Sequence, residues 1–257
     1  MRLVKQATPL LCIPKKDGKL RTIVDARQWN ENTIKDITPF LDQEVIREDV
    51  ARAKICSKID LMDAYEQVHI WLEDVIKNAF TMILGTYVSH VMWIVDCNAP
   101  ATFQRLMTMI FCDAIGRFMH MYLDDIFIYL NTIEEHEEHL QFVFEKLQEF
   151  SLYLKWAKCN LYAEQVDCLS HIIDKEGIHV DSDKVARIRK WRTPQNYNDI
   201  QQFIGLVNYI ATFLPDVTAY TGPLLSMTQN GAPFHWHPLH DKCFEMIKHI
   251  CEKAPVI

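Results

Sequence analysis

Phe118-Met-His-Met-Tyr122-Leu-Asp124-Asp125-Ile-Phe-Ile-Tyr129 sets two carboxylates in the middle of an otherwise apolar run. The run reads as a tight hairpin, with apolar strands on either side and the Asp pair at the turn. Ionised acids in apolar surroundings are costly unless a cation or a metal answers them. Hard oxygen ligands projected at one point are what Mg²⁺ requires. Asp-Asp is also an ordinary solvated turn dipeptide, so the metal reading needs a third acid.

Asp60 supplies it. Lys54-Ile-Cys-Ser-Lys-Ile-Asp60-Leu61 alternates apolar and polar residues, which predicts a strand ending at Asp60. The following Met62-Asp-Ala-Tyr65-Glu-Gln67 reads as a turn of helix. An acid at a strand's C-terminal end, beside a hairpin carrying two more, completes a candidate two-metal site. Phosphoryl transfer is mostly positioning and charge neutralisation, so three carboxylates and two cations nearly suffice for it.

Several motifs then carry a resemblance to the reverse transcriptases of gypsy-type LTR retrotransposons. Cys56-Ser-Lys-Ile-Asp60-Leu-x-x-Ala-Tyr65-x-Gln67-Val-x-Ile70 resembles the first catalytic motif of that family, and Tyr122-Leu-Asp124-Asp125 the second. Asn98-Ala-Pro-Ala-Thr-Phe-Gln104-Arg-Leu-Met107 is similar to the template- and nucleotide-contacting segment between them. Lys15-Lys16-Asp17-Gly18-x-x-Arg21-x-x-Val24-Asp25-x-Arg27 resembles the fingers motif. Downstream, Phe203-Ile-Gly-Leu-Val-Asn-Tyr209 and Gly231-Ala-Pro-Phe-x-Trp236 resemble the region leading toward a ribonuclease H domain. The motifs stand in the family's order over nearly the whole chain, which is far more specific than any one of them.

The resemblance implies an RNA-directed DNA polymerase, a nucleotidyltransferase working on a primed RNA or DNA template with dNTPs. It implies two Mg²⁺ ions, with Mn²⁺ as the substitute, held by Asp60, Asp124 and Asp125 and by the Leu61 carbonyl. Tyr65 lies under the incoming sugar and disfavours a 2′-hydroxyl; its plainer reading is core packing. Arg21 and one of Lys15 or Lys16 clamp the triphosphate, where a planar guanidinium suits paired phosphate oxygens. Gln104 contacts the template or braces the palm, and Tyr122 adjoins the template and primer. Leu169 and Ser170 stand where the primer end is gripped. Lys158 matches a position that donates a proton to pyrophosphate. The expected fold is α+β, a right hand with an antiparallel palm sheet, packed helices and a helical thumb. Fingers cover residues 1–55 and 68–105, palm 56–67 and 106–180, and thumb 181–230. Residues 231–257 begin a connection toward a ribonuclease H domain. The chain stops where that domain is expected, so it reads as a fragment or a truncated gene model; the resemblance implies fusion to protease, ribonuclease H and integrase domains in a polyprotein, and a homodimer suits the family.

Several positions depart from the family pattern. Ile94 and Val95 stand where Phe or Gln and then Gly are expected; a β-branched Val is bulky and stiff at that place. Ser170 replaces a Gly, Ala26 replaces an aromatic residue, and Ala211-Thr212 replaces a basic pair. These changes bear on nucleotide and primer placement, not on the acids. They define the main rival, a catalytically inactive remnant that only binds nucleic acid. A two-metal nuclease is a weaker rival, against which the triphosphate clamp and Tyr65 argue.

Composition narrows the field further. The 257 residues are 49 % apolar and 24 % charged, ordinary for a globular chain with a sizeable core. No stretch is apolar enough for a membrane span, the start does not resemble a secretory signal, and the eight cysteines include no Cys-x-x-Cys, so an intracellular protein is expected. The net charge of −7 argues mildly against nucleic-acid binding. Bases nevertheless concentrate in Lys184-x-x-Arg187-x-Arg189-Lys190-x-Arg192, which could track a duplex from the thumb or be a solvated helix face. Strands are expected over 9–25 and 76–92 with turns at Asp17-Gly18 and Gly85, and over 160–180 with a turn at Glu176-Gly177. A helix starts at Pro100, with Phe103, Leu106, Met107 and Ile110 on one face. A second carries Leu140, Val143, Phe144, Leu147 and Phe150 behind a Thr132–Glu135 capping box. His136 and His139 are given no ligand role. Three helices follow, capped by Ser182 and Asn198 and opened by Pro238.

Overall fold

The computed structural model describes residues 7–14, 20–169, 171–180, 182–214, 216–228 and 234–252. In chain order the elements are β1 (Thr8–Pro14), β2 (Leu20–Val24), α1 (Arg27–Glu31), α2 (Gln43–Arg52), β3 (Ile55–Asp60), β4 (Ala79–Met82) and β5 (Gly85–Val88). Then come α3 (Ala99–Ile110), β6 (Met119–Tyr122), β7 (Asp125–Leu130), α4 (Ile133–Glu149) and β8 (Asn160–Ala163). The last third holds β9 (Gln165–Cys168), β10 (His171–Asp174), β11 (Gly177–His179), α5 (Ser182–Arg189), α6 (Tyr197–Tyr209), α7 (Val217–Ser226) and α8 (Pro238–Glu252). Sheets and helices segregate along the chain, and the class is α+β. Among the described residues no helix is long and apolar enough to cross a membrane.

The chain divides into two compact units, Met1–Ile46 with Ala53–Ala163, and Arg47–Arg52 with Glu164–Ile257. In the first, one sheet runs β2-β1-β4-β5 and a second runs β6-β7-β3-β8. All pairs of the second sheet are antiparallel. Alternation along β3 and β7 sorts its two faces. Ile59, Ile126 and Ile128 are fully buried and join Met119 and Met121 against Phe103 and Met107 of α3 and Leu140, Val143 and Leu147 of α4. The opposite face carries Cys56, Lys58, Asp60, Asp125, Phe127 and Tyr129 as paired neighbours. Both helical stripes foreseen from periodicity therefore supply core, apart from Phe150, which is exposed. The second unit holds the β11-β10-β9 meander and a separate core of Ile200, Phe203, Ile204, Val207, Leu224, Phe244 and Ile247.

Four local expectations need correction. The β4–β5 turn is Ile83-Leu84, because Met82 pairs with Gly85, and Gly85 opens β5 at φ 134°, a value that favours glycine. Thr132 is the N-cap of α4, but its hydroxyl bonds the Glu135 carboxylate at 2.8 Å instead of capping the backbone. α6 is capped two residues earlier than expected: Asn196 Oδ1 accepts from the Asp199 N–H at 2.9 Å, and Asn198 lies inside the helix. α7 was not among the expected helices, and it contains Gly222-Pro223, a pair that reads as a breaker. The turn at Asp17-Gly18 lies outside the described residues.

Candidate active site

β3 and β7 pair in an unbroken antiparallel register from Ile55↔Leu130 to Asp60↔Asp125. Asp60 and Asp125 are thus direct cross-strand neighbours, which puts their side chains on one face of the sheet. The β6–β7 hairpin closes with Tyr122↔Asp125, so the turn is Leu123-Asp124 and Asp125 is already in the strand. Leu123 takes φ 56° and Asp124 does not share the positive value; this sign pattern belongs to a type II′ turn. The Leu61 N–H donates to the Asp124 carbonyl at 3.1 Å, fastening the turn beside the end of β3. Strand register brings Asp60 to the end of the central strand pair where the adjacent Asp124 and Asp125 sit, 64 and 65 residues further along the chain.

Their charges show in the chemistry. Burial pushes the Asp125 carboxyl up, Lys58 opposes that push, and the negative charges of Asp124 and Asp60 add to it. Lys58 Nζ lies 3.0 Å from Asp125 Oδ2, and Lys158 Nζ lies 3.1 Å from Asp60 Oδ2. The bond to Asp60 also holds the Lys158 ammonium above its usual range. Among the described residues no three His, Cys, Asp or Glu side chains stand in the geometry of a metal ion's ligands. The donor set is nonetheless all hard oxygen, its mutual repulsion is only partly answered, and two ammonium groups already occupy cation positions at Asp60 and Asp125. On the chemistry of its donors, though not on their present spacing, the set of Asp60, Asp124 and Asp125 suits divalent cations.

Residues 13–173 match the reverse transcriptase (RNA-dependent DNA polymerase) family. The chain belongs to that family. It is 30 % identical over 251 residues to the Transposon Tf2-3 and Tf2-4 polyproteins of Schizosaccharomyces pombe, covering 98 % of this chain and 19 % of each polyprotein. The chain therefore spans about a fifth of the length of these curated relatives. Among solved structures it resembles a foamy viral protease-reverse transcriptase in complex with dsDNA, at TM-score 0.88 and 26 % identity, over 98 % of this chain and 53 % of that one. A foamy viral protease-reverse transcriptase with RNA/DNA hybrid matches at TM-score 0.83 and 25 % identity, over 98 % and 34 %.

In this reverse transcriptase domain Gln104 is buried within α3, and its Oε1 accepts from the Leu123 N–H at 3.1 Å, so it braces the hairpin turn. The Tyr122 hydroxyl accepts from Gln43 Nε2 at 2.8 Å, and its ring packs against Phe40. Tyr65 sits in a short 3-10 turn, Ala64–Gln67, with its ring 5.6 Å from Phe103. Burial raises the Tyr65 hydroxyl, and the charges of Asp124 and Tyr122 raise it further. Leu169 has φ 50°, and its carbonyl accepts from the Tyr209 hydroxyl at 3.0 Å. The Tyr209 ring stacks on buried His171 and lies under Lys184 Nζ. Lys15, Lys16 and Ser170 lie outside the described residues, as does the Arg21 side chain.

Val95 is not strained, since its φ is not positive. Its carbonyl accepts from Asn30 Nδ2 at 2.8 Å, while Asn30 Oδ1 accepts from the Cys97 N–H at 2.9 Å. Ile94 is exposed.

Two residues escaped the sequence reading although both lie inside a quoted motif. Lys58 is one; its spacing of two from Asp60 put it on the acid's face of a strand. Gln67 is the other. Its side chain bonds the Met62 and Tyr153 carbonyls and the Tyr153 N–H, and Lys155 N donates to the Asp60 carbonyl at 2.9 Å. These bonds tie the exit of β3 to the segment that delivers Lys158.

Proposed function

We propose that the chain is an RNA-directed DNA polymerase core that adds deoxynucleotides to a primer 3′-hydroxyl. The observation that carries this reading is the Asp60↔Asp125 register beside the Leu123-Asp124 turn. Asp60, Asp124, Asp125 and the Leu61 carbonyl would hold two Mg²⁺ ions, which would supply activation of the attacking hydroxyl and neutralisation of the leaving pyrophosphate. Tyr65 bounds the sugar pocket. Arg21 with Lys15 or Lys16 orients the triphosphate, and Lys158 holds a proton near the pyrophosphate side. Leu169 and Ser170 hold the primer end. The substrates are dNTPs and a primed RNA or DNA template, and the core works as one part of a retroelement polyprotein.

The direct test is Mg²⁺-dependent extension of a DNA primer on an RNA template. Asp124→Asn is expected to cut extension by about a thousandfold or more while circular dichroism stays unchanged. Unchanged extension in that variant sinks the assignment of the acids.

A second reading is an inactive remnant that binds template and primer. Exposed Ile94 and the bulk of Val95, held in place by Asn30, favour it. Absent extension in the native chain, regained in Val95→Gly, would select this reading. Under the polymerase reading Val95→Gly changes extension by less than about threefold, because no strain is relieved.

A further inference from the structure

We propose that Lys58 is a positioning residue of the nucleotidyl-transfer site, an ammonium built into the strand of Asp60 that holds the Asp125 carboxylate and offsets its charge. The proposal rests on the polymerase reading and deepens it.

Direct cross-strand pairing of two carboxylates is unfavourable in itself. The Asp60↔Asp125 register forces that pairing, so a cation must stand within the sheet or arrive from solution. Lys58 is the residue on β3 that shares Asp60's face one pleat earlier. Its direct partner across the ladder is Phe127, and its Nζ lies 5.5 Å from the centre of that ring. The aromatic face carries the aliphatic stem and directs the ammonium diagonally to Asp125 Oδ2, at 3.0 Å.

The two lysines of the site are unlike. The Lys58 side chain is 17 % exposed and Asp125 is 23 % exposed, whereas Lys158 is 55 % exposed. Lys58 is enclosed on the sheet, and taking its ammonium out of contact with a carboxylate is costly there. Lys158 hangs from a short 3-10 turn, Trp156–Lys158, and its exposed ammonium can return to water, but Asp60 is only 9 % exposed and needs another cation in its place when Lys158 leaves. Lys58 therefore stays on Asp125 through the reaction, and Asp60 and Asp124 are left to take most of the divalent charge. Asp125 is turned toward β3 and works as the oriented third acid.

The test pairs Lys58→Met with Lys58→Arg, and measures Mn²⁺ binding by the protein without nucleic acid alongside primer extension. Losing the ammonium returns a full negative charge to the site and loosens Asp125. Lys58→Met is expected to bind Mn²⁺ about tenfold more tightly. It should lower kcat for extension by about a hundredfold, with KM for dNTP little changed. Lys58→Arg keeps both values near native. Tighter binding with slower turnover is a pairing that general loss of structure does not produce.

Unchanged Mn²⁺ affinity in Lys58→Met overturns the proposal. So does weaker affinity that falls in step with the melting temperature. Should Lys58→Met fail to fold, Lys58→Gln is read by the same criteria. If the native chain extends no primer, the polymerase reading fails, and the shift in Mn²⁺ affinity still decides the role of Lys58.

Discussion

Gln104 is only 2 % exposed, and its Oε1 accepts the N–H of Leu123, a residue held at positive φ. A buried polar side chain persists where it satisfies another buried group. Gln104→Leu leaves the Leu123 amide unpaired; it is expected to cost about 1–3 kcal/mol in chemical denaturation and to slow extension more than it weakens template binding. His136 poses a second question at this scale. It is fully buried beneath the sheet, with Nε2 2.7 Å from Ser57 Oγ, and burial lowers its pKa to about 4. The unfolded ring takes a proton below its ordinary value of 6.5, and the folded one does not until about 4. Stability from this group is complete above about 6.5 and falls through that window, by about 3 kcal/mol in all. A melting curve in His136→Phe should lose that part of the acid sensitivity. The Ser57 contact lay outside the reach of the sequence, because Ser57 and His136 are 79 residues apart.

At the scale of elements, apolar period was a good guide and end signals were a poorer one. Phe103, Met107 and Ile110 fall on one face of α3, and all three are buried. Phe103→Ala is expected to cost about 3–5 kcal/mol and to disturb Tyr65, which packs on the same ring. Caps were misread because neighbouring Asn and Asp residues compete for the same amide. Asn196 and Asn198 both precede the apolar stripe of α6, and only the geometry of the entering chain chooses Asn196. Asn196→Ala should lower stability by about 1 kcal/mol, and Asn198→Ala by much less, which paired thermal melts will separate. α7 shows the opposite failure. Gly222-Pro223 argues against a helix locally, yet Val217, Thr221 and Leu224 are buried, and tertiary burial overrides the propensity.

At the scale of the molecule, each unit closes its own core, one around Phe103 and Phe111 and the other around Phe203 and Phe244. A net charge of −7 makes the placement of bases matter more than their number. On α5, Lys184 covers the Tyr209 ring and Arg189 pairs with Glu252 at 3.1 Å, while Arg187, Lys190 and Arg192 are exposed around an open cavity with Trp191. Reversing Arg187 and Lys190 to Glu is expected to weaken duplex binding at least tenfold at low salt and to flatten its salt dependence, with melting unchanged. Equal binding would make this basic run a solvated face. The sequence by itself determined the family and the helical and strand periods, and it singled out the three acids as the candidate site, because these are carried by local order and spacing. Only the tertiary structure decided that Asp125 opposes Asp60, that Lys58 reaches Asp125 and that Gln104 holds the hairpin. The first two depend on the register between strands some 65 residues apart, and pairing at that distance is set by which faces bury together, not by any single segment.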